Sequence, residues 1–328
     1  MSVTEIKKSS SAKETGSGME RFNAIRPGTN AAYSTLFILL ALLCIIPVIF
    51  VIIISFSSED SIGKVGYSFI PIEWSLNAYK YVWHLRNAQG IPTVIMAFLT
   101  SVGLTVAGTC LGLILISTMG YVLSRRSFKL RGVYTMLIFI PMIFHGGLLS
   151  TYVVNVQLLG LKNTYWALIF PLCCSSFYVI IMRTFFQTSV PDEIIESGKV
   201  DGANQLRIFV QLVLPISLPA LATIALFLTF AYWNDWYQAS LYIESKMQNM
   251  FPLQYLLVNI EKNIQYLANN DMAMSASSDA LPTETMRMAI VVIAVVPIMF
   301  SYPFFQKYFI SGLTIGAVKG CYQVGGRK

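Results

Sequence analysis

The chain has 328 residues, of which 55% are hydrophobic and only 12% are charged, and its mean hydropathy is positive. A soluble core this apolar would aggregate, so the composition excludes an ordinary globular protein and is typical of one that crosses a membrane several times. The net charge of +7 comes from basic residues spread over short loops beside apolar runs, which favours the membrane surface over nucleic acid as the neighbour.

Residues 1–32 are polar, and the first part of this segment is rich in Ser and Lys. The apolar run that follows is too long for the core of a signal peptide, and no convincing small-residue cleavage site precedes it. We therefore predict that residues 1–32 are retained as a cytoplasmic tail.

Six segments have the roughly 20 apolar residues that a membrane-spanning helix needs, and lipid offers an open backbone no hydrogen-bond partner. The predicted spans are 33–56, 92–117, 132–150, 164–185, 216–241 and 286–309. Prolines that should kink or open these helices are Pro47, Pro141, Pro171, Pro219 and Pro297. The predicted fold is an all-α membrane protein with six transmembrane helices, one domain over residues 33–311, and a C-terminal cytoplasmic tail over 312–328.

The orientation follows from the Lys and Arg residues beside the spans. With the N-terminus inside, sixteen of the 23 fall on the cytoplasmic side and seven on the outer side. Cytoplasmic loops of membrane proteins carry the excess of Lys and Arg, so both termini are predicted to be cytoplasmic. This arrangement needs an even number of spans, and six satisfies it.

Two outer segments, 57–91 and 242–285, are longer than simple connectors. The first contains four aromatic residues whose spacing predicts an amphipathic helix at the outer interface, with contact to sugar as the alternative. These residues are Trp74, Tyr79, Tyr81 and Trp83. The second is polar, and exposed loops of this kind carry recognition.

Gly108 and Gly112 in the second span lie four residues apart, on one helical face. Small residues at this spacing allow two helices to approach closely. We interpret the pair as a packing site and not as a sign of a particular partner.

A polar island, residues 188–215, separates the fourth and fifth spans. At roughly 2.5–3.5 kcal/mol for each charge at a bilayer centre, burying its six charged residues in lipid would cost about 15–20 kcal/mol. These residues are Asp192, Glu193, Glu196, Lys199, Asp201 and Arg207. The island must therefore lie outside the hydrocarbon.

Two short helices are predicted within the island. Pro191 suits the first position of a helix, with the acidic residues that follow it in the positive first turn. Asp201 and Gly202 indicate a break. A second helix is expected from about Asn204 and is ended by Pro215, where the fifth span begins.

The island resembles the cytoplasmic coupling loop of ABC importer permeases. That loop has the pattern E-A-A, three residues, Gly, nine residues, Ile, one residue, Leu-Pro, and the spacing here agrees throughout. Ser197, Gly198 and Leu212 replace the two alanines and the isoleucine. The resemblance implies a type I importer architecture with ATPase-coupling residues Glu196, Ser197, Gly198, Asp201, Gly202, Ala203, Leu214 and Pro215. The alternative is an amphipathic interfacial hairpin that has no partner.

The C-terminal stretch 308–320 resembles the closing signature of maltose-type carbohydrate permeases, which reaches the ATPase dimer in that family. The matching residues are Gly312-Leu313 and the run G-A-V-K-G over 316–320, so ATPase contacts are implied at Gly316, Lys319 and Gly320. The motif Y-W-N-x-W in the fifth span and the segment after the first span resemble the subgroup that handles complex oligosaccharides in Gram-positive bacteria.

The aromatic stretch at the end of the fifth span is the candidate for a substrate path. Aromatic faces suit the C–H surfaces of pyranose rings, and the amide and carboxylate can hydrogen-bond hydroxyl groups. The candidates are Tyr232, Trp233, Asn234, Asp235, Trp236 and Tyr237. On one continuous helix, Tyr232 and Trp236 would share a face, as would Trp233 and Tyr237. An aromatic belt at the outer headgroups is an equally weighted alternative.

The sequence shows no motif of a nucleotide-binding, metal-binding or catalytic site. There is no G-x-x-x-x-G-K-[ST] loop, and neither His84 nor His145 has a metal-ligand spacing or a nucleophile beside it. We expect no metal site and no enzymatic activity in this chain, with ATP and Mg²⁺ bound by partner subunits.

The expected function is that of a transmembrane permease subunit of an ATP-driven importer for oligosaccharides. The resemblance implies four partners in a bacterial plasma membrane: a second, homologous permease, two ATP-binding subunits and an extracellular solute-binding lipoprotein. A permease for a non-sugar solute is one alternative. A secondary sugar carrier is another, although such carriers need ionisable groups at mid-membrane and Asp235 is expected at the outer interface.

Overall fold

The computed structural model describes residues 27–86, 90, 92–144, 146–268 and 283–321. Across these residues the chain is helical, and pairing of extended backbone is limited to two isolated bridges, Ser57 with Trp74 and Arg86 with Pro92. The predicted all-α class is confirmed. Most of the N-terminal tail, His145 and the central part of the second outer segment lie outside the described residues.

The helices follow one another in the order α1 Pro27–Ser55, α2 Glu59–Val65, α3 Asn77–His84, α4 Thr93–Ser124, α5 Arg131–Ile143, α6 Gly147–Leu158, α7 Tyr165–Cys173, α8 Ser176–Ser189, α9 Asp192–Val200, α10 Gln205–Ile216, α11 Leu218–Trp233, α12 Tyr237–Tyr242, α13 Leu253–Ala268 and α14 Thr283–Cys321. The chain divides into two units after residue 51, so that most of α1 forms a unit by itself. The other helices belong to the second unit.

Three of the described helices, α1, α4 and α14, are long and apolar enough to cross a membrane. The pairs α5 with α6, α7 with α8, and α10 with α11 reach that length only if each bent pair counts as one span, which would bring the total to six. The bend is 46° between α7 and α8 and 82° between α10 and α11. The protein is therefore an integral membrane protein, and the count of six spans stays a prediction.

The predicted fifth span, 216–241, is wrong as a single helix because α11 ends at Trp233. The side-chain amide of Asn234 donates to the Phe230 carbonyl at 2.9 Å, and the Asp235 carboxylate accepts the backbone N–H of Gln238 at 3.3 Å. Short polar side chains of this kind compete with the helix ladder for backbone groups. A new short helix, α12, starts at Tyr237.

The predicted ends of the first and last spans also shift. The first helix begins at Pro27, inside the segment assigned to the tail, and α14 continues to Cys321 instead of ending near residue 309. Pro297 and Pro303 lie within α14 without ending it. The prediction used hydrophobic composition and therefore found only the apolar part of each helix. Both helices continue into polar sequence.

Helix α4 is the centre of the second unit, since it packs against α7, α8 and α11. The packing depends on glycines along α4. A Cβ atom on Gly108 would lie 2.3 Å from Cζ of Tyr232, and one on Gly112 would lie 2.8 Å from the Cys173 carbonyl oxygen. The predicted packing role of Gly108 and Gly112 is confirmed.

A cluster near the start of α14 ties this helix to the segment that follows α1. The Glu59 carboxylate accepts the N–H groups of Glu284 and Thr285, each at 3.1 Å, and the Thr285 hydroxyl at 2.8 Å. Tyr67 donates to Glu284 at 2.7 Å, and this hydrogen bond is the first cause of the raised pKa of Tyr67. Glu59 thus caps the positive N-terminus of α14 from another part of the chain.

The predicted amphipathic helix in the first outer segment corresponds to α3, which is shorter than the aromatic stretch. Trp74 and Trp83 are exposed, as an interfacial anchor requires. Tyr79 instead turns inward, where its hydroxyl lies 2.8 Å from that of Ser55 and its ring contacts Phe56.

Candidate functional site

The polar island forms two helices, as predicted, and we call residues 189–217 the elbow loop. Helix α9 carries Asp192 and Glu193 in its first turn and Lys199 in its last, which complements the helix dipole. Pro191 has extended backbone angles and precedes the helix instead of occupying its first position. The side-chain oxygen of Asn204 accepts the N–H of Arg207 at 2.8 Å and starts α10.

The turn between the two helices is built around Gly202, whose φ is +78°. Its N–H donates to the Lys199 carbonyl, and the N–H of Ala203 donates to the Gly198 carbonyl, each at 3.0 Å. These two bonds make a Schellman cap with glycine at the left-handed position. A side chain at Gly202 meets no atom within 4 Å, so the need for glycine comes from the backbone angle alone.

Gly198 is needed for a different reason, the close approach of α9 to α10. A Cβ atom there would lie 3.0 Å from Cδ1 of Leu212 and 3.1 Å from Cγ1 of Ile208. Ile208 is fully buried, and Ile195 is 5% exposed. The coupling-loop pattern has alanine where this chain has Gly198, and the close contact of the two helices explains why glycine fits here. The two helices form one packed unit.

The outer surface of the elbow loop brings together most of the predicted coupling residues. Glu196, Ser197, Asp201 and Gly202 are exposed, and Ala203 is half-buried. Two apolar side chains are also exposed there, Val200 at 87% and Leu206 at 69%. Within the described part of the chain the Glu196 side chain has no ion pair. An apolar patch beside an unpaired carboxylate is suited to contact another protein.

Leu214 and Pro215 lie at the far end of α10, away from the turn. The predicted end of this helix at Pro215 is wrong, since the break falls at Ser217. The N–H of Ser217 donates to the carbonyls of Val213 and Leu214 at 3.1 and 3.0 Å. Pro219 then lacks the N–H that would continue the ladder, and the axis turns through 82°.

An arginine that the sequence did not single out fastens the elbow loop to α4. Arg125, just after α4, makes an ion pair with Asp192 at 3.1 Å and donates to the Phe186 carbonyl at 3.2 Å. Its guanidinium carbon lies 5.2 Å from the ring centre of Tyr121. Only 11% of the Arg125 side chain is exposed, against 63% for Asp192. Arg125 and Asp192 are 67 positions apart along the chain, so no local sequence pattern predicts their contact.

Tyr232 and Trp233, two of the six substrate-path candidates, take part in helix packing. Tyr232 is 4% exposed and donates to the Ile169 carbonyl at 2.7 Å. Trp233 is 6% exposed, and its indole N–H donates to the Ala294 carbonyl at 2.9 Å.

The other four candidates, Asn234, Asp235, Trp236 and Tyr237, lie at the break after α11. Trp236 and Tyr237 are 42% and 45% exposed. Because α11 ends at Trp233, the predicted face-sharing on one helix is wrong. The role of these four residues in a substrate path stays a prediction.

The C-terminal residues Gly316, Lys319 and Gly320 lie within the last turns of α14, and their predicted contact with an ATPase stays a prediction. Among the residues that the structure describes, no group of three or more His, Cys, Asp or Glu side chains could hold a metal ion.

Comparison with known proteins identifies the family. No protein-family model matches the chain. The chain is 38% identical over 286 residues to the polygalacturonan/rhamnogalacturonan transport system permease protein YtcP of Bacillus subtilis (strain 168), covering 86% of this chain and 95% of that protein. The chain belongs to the sugar ABC transporter permeases.

Two further comparisons agree with this assignment. Protein LplC of the same organism is 38% identical over 277 residues, covering 84% of this chain and 90% of that protein. A crystal structure of a bacterial ABC transporter involved in the import of the acidic polysaccharide alginate has a chain that superposes with a TM-score of 0.73 at 28% identity, covering 89% of this permease and 98% of that chain. As a permease, the protein is a transport subunit of an ABC system and not an enzyme.

Proposed function

We propose that this permease imports oligosaccharides as one half of a two-permease translocation path. The observation that carries the proposal is the elbow loop, where an exposed carboxylate and an apolar patch surround a Schellman turn at the spacing of a coupling loop. The relatives above, named for polygalacturonan/rhamnogalacturonan and for alginate, support a sugar substrate. Both names denote polysaccharides that contain uronic acids, so oligosaccharides that contain uronic acids are the first class to test.

The proposed assembly contains a second, homologous permease, two ATP-binding subunits and an extracellular solute-binding lipoprotein, in a bacterial plasma membrane. Both termini and the elbow loop face the cytoplasm in this proposal, as the excess of Lys and Arg favours. The ATPase subunits bind ATP and Mg²⁺, and this chain binds no cofactor. Gly316, Lys319 and Gly320 at the end of α14 are proposed as a further contact with the ATPase dimer.

The elbow loop is proposed to occupy a cleft of one ATPase subunit. Glu196 would pair with a basic group there, with Asp201 as a second acceptor, and Val200 and Leu206 would bury their exposed surface. ATP binding can favour an outward-facing state only if the ATPase contacts differ between the two states. The rigid packing of α9 on α10 and the Arg125 link to α4 provide the connection by which closure of the ATPase moves the membrane helices.

The test is to purify the complex from membranes, identify its subunits and reconstitute it in liposomes with the ATPase. We expect ATP-dependent uptake of trigalacturonate, and we expect Glu196→Ala and Gly202→Asp to reduce the ATPase activity that substrate stimulates. Lys199→Ala is a matched control in the same helix. Uptake without any ATPase would instead support a secondary carrier, and uptake of amino acids but of no oligosaccharide would support a non-sugar permease.

A further inference from the structure

A cavity of about 390 Å³ lies at the end of α4 farthest from the elbow loop. Thr93, the first residue of α4, lines it, whereas Arg125 beside the elbow loop follows the last residue. A helix of 32 residues is about 48 Å long, which exceeds the thickness of a bilayer core. With the elbow loop in the cytoplasm, this cavity therefore opens toward the outside of the cell.

The cavity has a wall of polar but mostly uncharged side chains. Its polar lining consists of Arg86, Thr93, Ser245, Gln248, Asn259 and Asn263. Leu85, Phe251, Leu256 and Ile260 supply the apolar part, and no Asp or Glu is among the described residues that line it. Amides and hydroxyls beside an aromatic ring match the hydroxyl groups and C–H faces of sugars, and the volume lies within the range of small-ligand sites.

Arg86 is the charged residue of this wall, and contacts with the local backbone hold it in place. Leu85 accepts the N–H of Thr93 at 2.9 Å, and Arg86 is bridged to Pro92. The guanidinium group of Arg86 donates from Nη1 to the Gly90 carbonyl at 2.8 Å. Arg86 is exposed, and it has no ion pair within the described part of the chain. Its other N–H groups are thus positioned for an anionic group that enters the cavity.

The opposite wall is formed by α13 and the turn that precedes it. Asn259 and Asn263 are four residues apart, so they lie on one face of α13. The N–H of Leu253, at the start of α13, donates to the buried Ser101 hydroxyl of α4 at 2.7 Å. The amide-bearing face of α13 is therefore fixed relative to α4.

Arg86 is the charged residue among the described residues that line the cavity. Glu244 precedes Ser245 of the wall, but its carboxylate forms an ion pair with Lys162 at 2.7 Å. The backbone N–H of Glu244 donates to the side-chain oxygen of Asn163 at 2.8 Å. The lining residues that the structure describes therefore carry a net positive charge.

We propose that this cavity binds a uronic acid unit of the oligosaccharide at the outer mouth of the permease. Arg86 binds the carboxylate, and Asn259 and Asn263 bind ring hydroxyls. The inference rests on the proposed function, since it assumes that the elbow loop is cytoplasmic and that the substrate is a sugar. It adds a recognition site for the charge of the substrate on this chain.

The test measures binding of trigalacturonate and of its fully methyl-esterified form to the complete transporter in nanodiscs, without the solute-binding protein. Loss of a charge-assisted contact in Arg86→Gln should weaken trigalacturonate binding about tenfold or more and leave the ester unchanged. Arg86→Lys should recover part of the affinity because it keeps the charge but not the planar fork. Lys80→Gln is the matched control, since Lys80 is an exposed cation of α3 that does not line the cavity.

Equal affinities of wild type and Arg86→Gln for trigalacturonate would overturn the inference, as would equal losses in Arg86→Gln and Lys80→Gln. A loss confined to docking of the empty solute-binding protein would also overturn it and would assign the cavity to that protein. The elution volume of the complex in size-exclusion chromatography, which should match that of the wild type, reports whether Arg86→Gln leaves the complex assembled. If the wild-type complex imports no sugar at all, the proposed function is wrong. If Arg86→Gln imports trigalacturonate normally, only the proposed binding site in this cavity is wrong.

Discussion

The link between Arg125 and the elbow loop gives a prediction that separates a functional connection from general stability. In Arg125→Gln the ion pair with Asp192, the hydrogen bond to the Phe186 carbonyl and the contact with the Tyr121 ring are all lost. Because the Arg125 side chain is 11% exposed and Asp192 is 63% exposed, the contacts are unequal in strength. The structure predicts that removing the arginine costs far more than removing its carboxylate partner.

The magnitudes follow from those exposures. A hydrogen bond from a charged donor contributes about 1.5–3 kcal/mol, and a cation over an aromatic ring about 0.5–1 kcal/mol. The ion pair with the exposed carboxylate contributes only about 0.2–1 kcal/mol after screening by solvent. We therefore expect Arg125→Gln to lower the free energy of unfolding by about 2–5 kcal/mol and Asp192→Asn by less than about 1 kcal/mol.

The assay compares thermal unfolding with the ATPase activity that substrate-loaded binding protein stimulates in the reconstituted complex. Arg125→Gln should reduce the stimulation by about 5- to 150-fold, the usual range of a coupling free energy, while basal ATPase activity persists. Arg126→Gln is the control, since Arg126 is the exposed neighbour with the same charge. Wild-type stimulation in Arg125→Gln, or a loss of equal size in Arg126→Gln, would refute the reasoning.

Three further substitutions test other parts of the structure. Gly202→Ala should cost about 1 kcal/mol because it places a Cβ at a φ of +78°, and it should weaken capture of the purified ATPase more than Ser197→Ala does. Gly108→Ala should destabilise the complex by about 1–3 kcal/mol through overpacking against the Tyr232 ring; an unchanged Tm would contradict that contact. Glu59→Ala should lower stability by about 0.5–2 kcal/mol and speed hydrogen exchange at the start of α14, with Asp60→Ala as the exposed control.

The sequence predicted best those features that depend on neighbouring residues. The turn at Gly202, the two helices of the elbow loop and the apolar parts of the long helices all follow from local chemistry. The break after Trp233 also has a local signal, because Asn234 and Asp235 both hydrogen-bond to nearby backbone. That signal was outweighed by the aromatic residues on either side, which suggested one continuous helix.

Contacts between distant parts of the chain could not be predicted in this way. Glu59 caps a helix that starts more than 200 positions later, and a single sequence carries no pattern that pairs them. The same holds for Arg125, which the sequence showed only as one of several basic residues beside a span. Tyr232 looked suited to a sugar because of its residue type, yet the glycine across from it makes it a packing residue.

The break at Ser217 sets how movement passes from the loop to the membrane. Helices α10 and α11 meet at a steep angle across one non-helical residue, so each can behave as a stiff rod around a common pivot. Helix α11 has 16 residues and is about 24 Å long. A tilt of about 10° about its first residue therefore displaces its last residue sideways by about 4 Å. A small movement of α10 would thus be delivered as a lateral displacement near Asn234, at the far end of α11.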